Sequence, residues 1–362
     1  MMIQKAGIAC VCVCLLACSS PRKTAAVSNE NEKVLSIRRG PDNPRNSEGD
    51  FIQLRDGTIC YAYSHFTGIS DSDFGNAYIA ARTSDDGGKT WSADRVMIPQ
   101  EGALSAMSVS FLRLQNGTIA LFYLKVNSEH DCIPWMRISA DETRTWSEPI
   151  RCIRDREGYF VVNNDRIIQL KNGRLLLPTA LHTNAGDPGG AGSASIWCYY
   201  SDDNGQTWMH GPEVPNPEGV ITQEPGVVEL SDGTIMMFIR TASGVQYKAY
   251  SSDRGETWSA AGRSNIVSPQ SPASLVRIPS THDLLLVWNN NGATPNRTPL
   301  NMAVSKDEGR TWIHTKILED NPAGSYCYTA IDFTGNYVLL AYFDWAERDI
   351  TIRRISLDWI YK

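Results

Sequence analysis

The residues best equipped for chemistry in this sequence are carboxylates held in a repeated turn. The pattern Ser-x-Asp-x-Gly-x-Thr-Trp occurs from Ser84 to Trp91, Ser201 to Trp208, Ser251 to Trp258 and Ser305 to Trp312. A fifth copy, Ser139 to Trp146, has Thr143 in place of glycine. Carboxylates could act as general acids and bases. Copies recurring at roughly 55-residue intervals cannot all line one pocket, however. Ser and Asp side chains also cap backbone N–H groups inside turns. Asp86, Asp141, Asp203, Asp253 and Asp307 are therefore expected to build turns remote from any active site. The cysteines after Cys18 are Cys60, Cys132, Cys152, Cys198 and Cys327, an odd number at wide spacings. They indicate neither a disulfide framework nor a zinc site, and no metal or cofactor site is expected. The Gly-rich segment 186–192 lacks a following Lys-Ser/Thr and reads as a flexible rim, not a phosphate loop.

A second unit alternates with the first: apolar, two polar, Gly, polar, apolar. It appears at Leu54-Arg55-Asp56-Gly57-Thr58-Ile59 and around Asn116-Gly117, Asn172-Gly173 and Asp232-Gly233, with weaker copies at His282-Asp283 and Thr334-Gly335. Asx-Gly between alternating apolar residues signals a hairpin, because Gly accepts the positive φ of the turn. Two hairpins per repeat make a four-stranded antiparallel sheet. Six such sheets make an all-β fold, a six-bladed β-propeller with Asp-box turns. Val34-Leu35-Ser36-Ile37 has no partner before it and is predicted to complete the final sheet beside Ile350 to Ile355. Chemistry should then come from residues that break the repeat where the inner ends of the sheets meet.

The chain has 362 residues, 42% hydrophobic, with a formal net charge of −6, which argues against a nucleic-acid partner. Lys5 precedes an apolar run from Ala6 to Ala17, and Leu15-Leu16-Ala17-Cys18 resembles a bacterial lipobox. Residues 1–18 are read as a lipoprotein-type signal, 19–33 as a polar tether and 34–362 as a catalytic propeller. This implies an exported bacterial lipoprotein of the cell envelope, touching the membrane only through its lipid anchor.

Asp-box turns in a six-sheet ring resemble the bacterial sialidases (neuraminidases), and the likeness covers nearly all of the chain after the tether. Gln223-Glu224-Pro225-Gly226-Val227-Val228-Glu229 is similar to the family's strand carrying a catalytic Glu, and Arg240 ends the following strand. Arg297 stands where the family has its last substrate-binding Arg. Gly324-Ser325-Tyr326-Cys327 resembles the turn that bears the nucleophilic Tyr, and Asp71 and Asp73 lie in the loop of the acid/base Asp. The resemblance implies a retaining exo-glycosidase that removes terminal sialic acid or a related acidic sugar from a glycan. Tyr326 would be the nucleophile, Glu224 its base, Asp73 the acid/base, and Arg240 and Arg297 a clamp on the sugar carboxylate. A neutral phenol suits attack beside a carboxylate better than an anionic Asp or Glu, but needs a base to take its proton.

One departure stands out. The family's Arg-Ile-Pro segment before the first hairpin turn is replaced by Glu48-Gly49-Asp50, with Arg45 three residues earlier. Arg45 would have to reach the site from a shifted position, or Arg166 to compensate, and Glu48 would repel a carboxylate. A missing Arg would remove about 1.5–3 kcal/mol of charged hydrogen bonding. His65 and His182, at strand ends, could bind a sugar hydroxyl or serve as a base, and Trp135 and Trp345 could stack on a sugar or pack in the core. A propeller glycosidase or lyase for another sugar, or a non-catalytic carbohydrate-binding propeller, are the alternatives.

Overall fold

The computed structural model describes residues 30–182 and 192–362, almost all of them in strands or in the turns between strands. The lipobox, the tether up to residue 29 and most of the Gly-rich segment lie outside the described residues. Among the described residues no helix is long and apolar enough to cross a membrane.

Strands follow one another in antiparallel groups of four. The first unit runs Asn46–Gln53, Ile59–Thr67, Asn76–Ser84 and Arg95–Ile98; the fourth runs Thr222–Glu229, Ile235–Thr241, Val245–Ser251 and Gly262–Val267. The second, third and fifth units begin at Ser105, Tyr159 and Ser274. The sixth takes Tyr326–Thr334, Tyr337–Asp344 and Asp349–Ser356 from the end of the chain and Asn31–Ile37 from its start. That N-terminal strand pairs antiparallel, from Asn31 opposite Ile355 to Ile37 opposite Ile350, as the unpartnered apolar run predicted. It begins three residues inside the stretch expected to be tether.

Apolar side chains on both faces of the sheets bury themselves between neighbouring units. Phe111 and Leu121 meet Ile52 and Ala62 between units one and two, for example, while Leu339 and Ile352 of unit six meet Phe51 and Tyr61 of unit one. The hairpin turns carry the expected positive φ at Gly57, Gly117, Gly173 and Gly233. The Asp turns sit at that same end of the sheets. In each, the Ser hydroxyl accepts from a backbone N–H, and the Asp carboxylate accepts from the N–H and hydroxyl of a Thr; Asp203 does so from Thr207 at 2.9 and 2.6 Å. These bonds hold the carboxylates ionised, with Asp141 and Asp307 lowered to about 2 chiefly by the Thr hydroxyls. Trp residues that close these turns meet other rings: Trp146 stacks on Phe111 of its own unit, and Trp208 meets Phe122 of the preceding unit edge-on.

The other end of the first strands is irregular in a repeated way. Glu48, Ser108, Asp165, Glu224 and Tyr328 are non-glycine residues with φ between 37° and 57°, near the starts of units one, two, three, four and six. The pairing register slips at four of these places, between Ser47 and Asp50, Met107 and Ser110, Gln223 and Pro225, and Cys327 and Ala330. Such bulges re-aim a side chain that regular alternation would send elsewhere. Left-handed backbone at a non-glycine residue costs on the order of 1–3 kcal/mol and persists where surrounding packing enforces it.

Candidate active site

Three of these bulge residues, Glu48, Glu224 and Tyr328, bring their side chains into one hollow. The Glu224 carboxylate is buried; its Oε2 accepts from Arg240 Nη1 at 2.6 Å, and its Oε1 lies 3.5 Å from the Tyr328 hydroxyl. Burial alone would raise this carboxyl, but Arg240, Arg297 and His182 reverse the effect and hold it below the usual glutamate value. Burial pushes the Tyr328 phenol well above its ordinary range, and the Glu224 charge pushes it further. The pair is therefore an ionised carboxylate beside a neutral phenol, the arrangement in which a base can take a nucleophile's proton.

Arg297 lies beside them, its guanidinium 5.9 Å from the centre of the Tyr328 ring and its Nη1 donating to Cys327 Sγ at 3.2 Å. Its backbone carbonyl accepts from Tyr326 N, which ties the two loops together. Arg45 is fully buried, its guanidinium 4.5 Å from the centroid of the Phe66 ring and 4.7 Å from that of Trp345. It donates from Nη1 to Asp73 Oδ1 at 2.6 Å, from Nη2 to Glu48 Oε2 at 3.1 Å and from Nε to Ser47 Oγ at 2.9 Å. So Arg45 does reach the site, and Glu48 and Asp73 reach it with Arg45.

Asp71 and Asp73 separate cleanly. Asp73 faces Arg45, whereas the Asp71 carboxylate turns aside to Arg348 at 2.8 Å. Trp345 lies between the two arginines, 4.7 Å from one guanidinium and 4.6 Å from the other, and so braces the loop that carries both aspartates. The same loop puts Phe74 against Tyr159, and Tyr159 in turn meets His182 edge-on. Burial lowers the His182 pKa, and among the described residues its Nε2 is buried without a partner near Glu224.

Three expectations need correction. Tyr326 is not at the site: it is 4% exposed, in the apolar layer between units five and six, with its ring edge-on to Tyr342 at 6.0 Å. The bulge after Cys327 resets the alternation, so Tyr328 two residues on reaches Glu224 instead. Arg166 is buried but bonded to the fifth unit, through the Ala273 carbonyl at 2.6 Å and Ser274 Oγ at 3.3 Å, and compensates for nothing at the hollow. Asp71 belongs to the loop's support and does not face the hollow. His65 lies against Tyr78 with the rings tilted by 32°, Asp94 and Arg82 are its charged neighbours, and Trp135 packs under Lys125.

Sequence reasoning missed Tyr328, Tyr159 and Arg348. Glu48, Glu224 and Tyr328 are each the third residue of their strand, a regularity visible only once the strand starts are known from the structure.

Residues 62–339 match the BNR repeat-like domain family, and the chain belongs to the bacterial sialidase family built from such repeats. It is 30% identical over 209 residues to a sialidase of Bacteroides fragilis, a match covering 54% of this chain and 36% of that protein. The chain thus spans little more than a third of that relative. Among solved structures, a protein of unknown function from Dyadobacter fermentans superposes with a TM-score of 0.72 at 19% identity, covering 90% of this chain and all of that one. A Hadza microbial sialidase gives 0.71 at 20% identity, covering 87% of this chain and 66% of that one.

Proposed function

We propose that the six units close into a six-bladed propeller and that the chain is an exo-α-sialidase-like retaining glycosidase, releasing terminal sialic acid or a related acidic sugar from glycans. The observation that carries this reading is the neutral Tyr328 phenol 3.5 Å from the ionised Glu224 carboxylate, with two guanidinium groups beside them. In the first step Tyr328 Oη attacks the anomeric carbon while its proton passes to Glu224. The bond to the leaving oxygen breaks, and that oxygen takes a proton from Asp73. In the second step Asp73 removes a proton from water, which attacks the same carbon. Tyr328 leaves and recovers its proton from Glu224. Two displacements on one carbon give net retention. A 3.5 Å approach is long for a hydrogen bond, and catalytic contacts of this kind commonly shorten when substrate fills the site.

Arg297 and Arg240 hold the sugar carboxylate by charge-assisted hydrogen bonds. Among the described residues Arg240 Nε is buried without a partner, a donor that a small rearrangement would bring to such a ligand. The aromatic edge of Phe74 and Tyr159 supplies an apolar wall beside Asp73. As an exported lipoprotein, the enzyme would meet glycans outside the cytoplasm.

The test is turnover of 4-methylumbelliferyl α-N-acetylneuraminide followed by proton NMR. The α-anomer of the free sugar should appear first and then mutarotate. Absence of turnover, or first appearance of the β-anomer, would remove this reading.

A further inference from the structure

The hollow contains three arginines, and three carboxylates already stand among them. Arg240 is paired with Glu224, while Arg45 is paired with both Glu48 and Asp73. Every nitrogen of the Arg45 guanidinium already donates, one of its bonds going to the Asp71 carbonyl at 3.3 Å. Among the described residues the Arg297 guanidinium bonds only a thiol, and Arg240 keeps an unpartnered Nε. The clamp on an incoming anion is thus strong on one side and occupied on the other. The occupant is not accidental: Glu48 is held on a left-handed bulge, φ 52°, as Glu224 and Tyr328 are, and is 7% exposed.

We infer that Glu48 sets the charge preference of the site: it holds the Arg45 guanidinium that a sugar carboxylate would otherwise take, so an anionic sugar enters with one proton, which Glu48 accepts, and a neutral sugar enters without one. The balance is simple. A carboxylate and a proton enter together, Glu48 becomes a carboxylic acid, and its new O–H can donate to the ligand's carboxylate. No bond to carbon is made or broken. This inference rests on the sialidase-like reading of the hollow.

The surroundings of Glu48 suit it to take that proton. Burial pushes its carboxyl up to about 7, against the opposing pull of Arg45; Asp73 and Glu224 raise it, and the Ser47 hydroxyl lowers it. The Cys132 thiol and the Tyr159 phenol also face it, both held protonated by burial. Near neutrality the residue therefore stands at the midpoint between acceptor and donor, and a second negative charge beside it moves the balance toward the acid.

The experiment is calorimetric binding of 2-deoxy-2,3-didehydro-N-acetylneuraminic acid and of its methyl ester, at pH 5.5, 7 and 8.5, in buffers of different ionisation enthalpy. For the wild-type protein the acid should bind with almost no proton uptake at pH 5.5 and close to one proton at pH 8.5. Its affinity should fall about tenfold per pH unit above 7, roughly 30-fold by pH 8.5. The ester should show neither effect. In Glu48→Gln the acid's affinity should be flat with pH and should exceed wild type at pH 8.5. Binding of the acid at pH 8.5 without proton uptake would overturn the inference and leave the glycosidase reading standing. Failure of both ligands to bind the wild-type protein at pH 5.5 would overturn both. Proton uptake by the wild-type protein decides the matter even if Glu48→Gln does not fold.

Discussion

Tyr326 and Tyr328 stand two residues apart, and their removal should have opposite consequences. Tyr328→Phe deletes the hydroxyl facing Glu224 and leaves the ring in place. The melting temperature should change little, because no buried partner loses a short bond. The rate should fall by at least the 10²–10⁴ typical of a lost proton-transfer pair, about 2.7–5.4 kcal/mol in the barrier. Tyr326→Phe should be silent by both measures, since the hydroxyl makes no hydrogen bond among the described residues and the ring keeps its place against Tyr342. Tyr326→Ala, in contrast, empties a ring-sized space between units five and six and should cost about 3–5 kcal/mol. For a domain of this size that is a fall of roughly 4–7 °C in Tm. The assays are initial rates on a fluorogenic sialoside and thermal unfolding followed by circular dichroism, with all three variants in parallel. A Tyr326→Phe protein that is folded but inactive beside an active Tyr328→Phe would refute the assignment of the nucleophile and the bulge argument beneath it.

Other perturbations separate support from chemistry. Asp203→Ala removes the acceptor for Thr207 and should lower stability by about 1–2 kcal/mol, as loss of a capping side chain does, with kcat unchanged. Arg348→Gln frees Asp71 from a half-exposed ion pair, so its effect on stability should stay below about 1 kcal/mol. Its KM should rise as the Asp73 loop loosens, and kinetics with unchanged unfolding would show this. Asp165 and Asp332 are pushed up to about 7 and about 6, in each case chiefly by burial, so folding favours their protonated forms. That stabilisation is complete below the unfolded value near pH 4 and is lost as pH rises through 6 and 7. Tm should therefore decline between about pH 5 and 7.5, and Asp332→Asn should flatten the decline; a rising Tm over that range would contradict the sign.

What the sequence made legible was local. Asp56-Gly57 and Asn116-Gly117 dictate their hairpins through the backbone freedom of one residue, and Ser201 with Asp203 dictates a turn by bonds spanning a few positions. The N-terminal strand was legible because Val34 to Ile37 had to be buried somewhere, and the last sheet lacked a fourth member. Glu224, Arg240 and Arg297 were placed by resemblance, and the folded chain brings them together. Tyr328 was hidden because alternation along an extended strand assigns it the same face as Tyr326, and only a slipped register separates them. Arg166 was misjudged for another reason: its partners, Ala273 and Ser274, lie over a hundred residues away, and no spacing rule reports a guanidinium committed to a distant carbonyl.

The first described strand enters at a particular end of the molecule. Asn31 is opposite Ile355, beside the turn at Thr334 and Tyr337, while Tyr326 and Tyr328 lie at the far end of the same sheet. Whatever precedes Asn31 therefore joins the described strands at the end that carries the hairpin and Asp turns, a full strand length away from Tyr328 and its Glu224 partner.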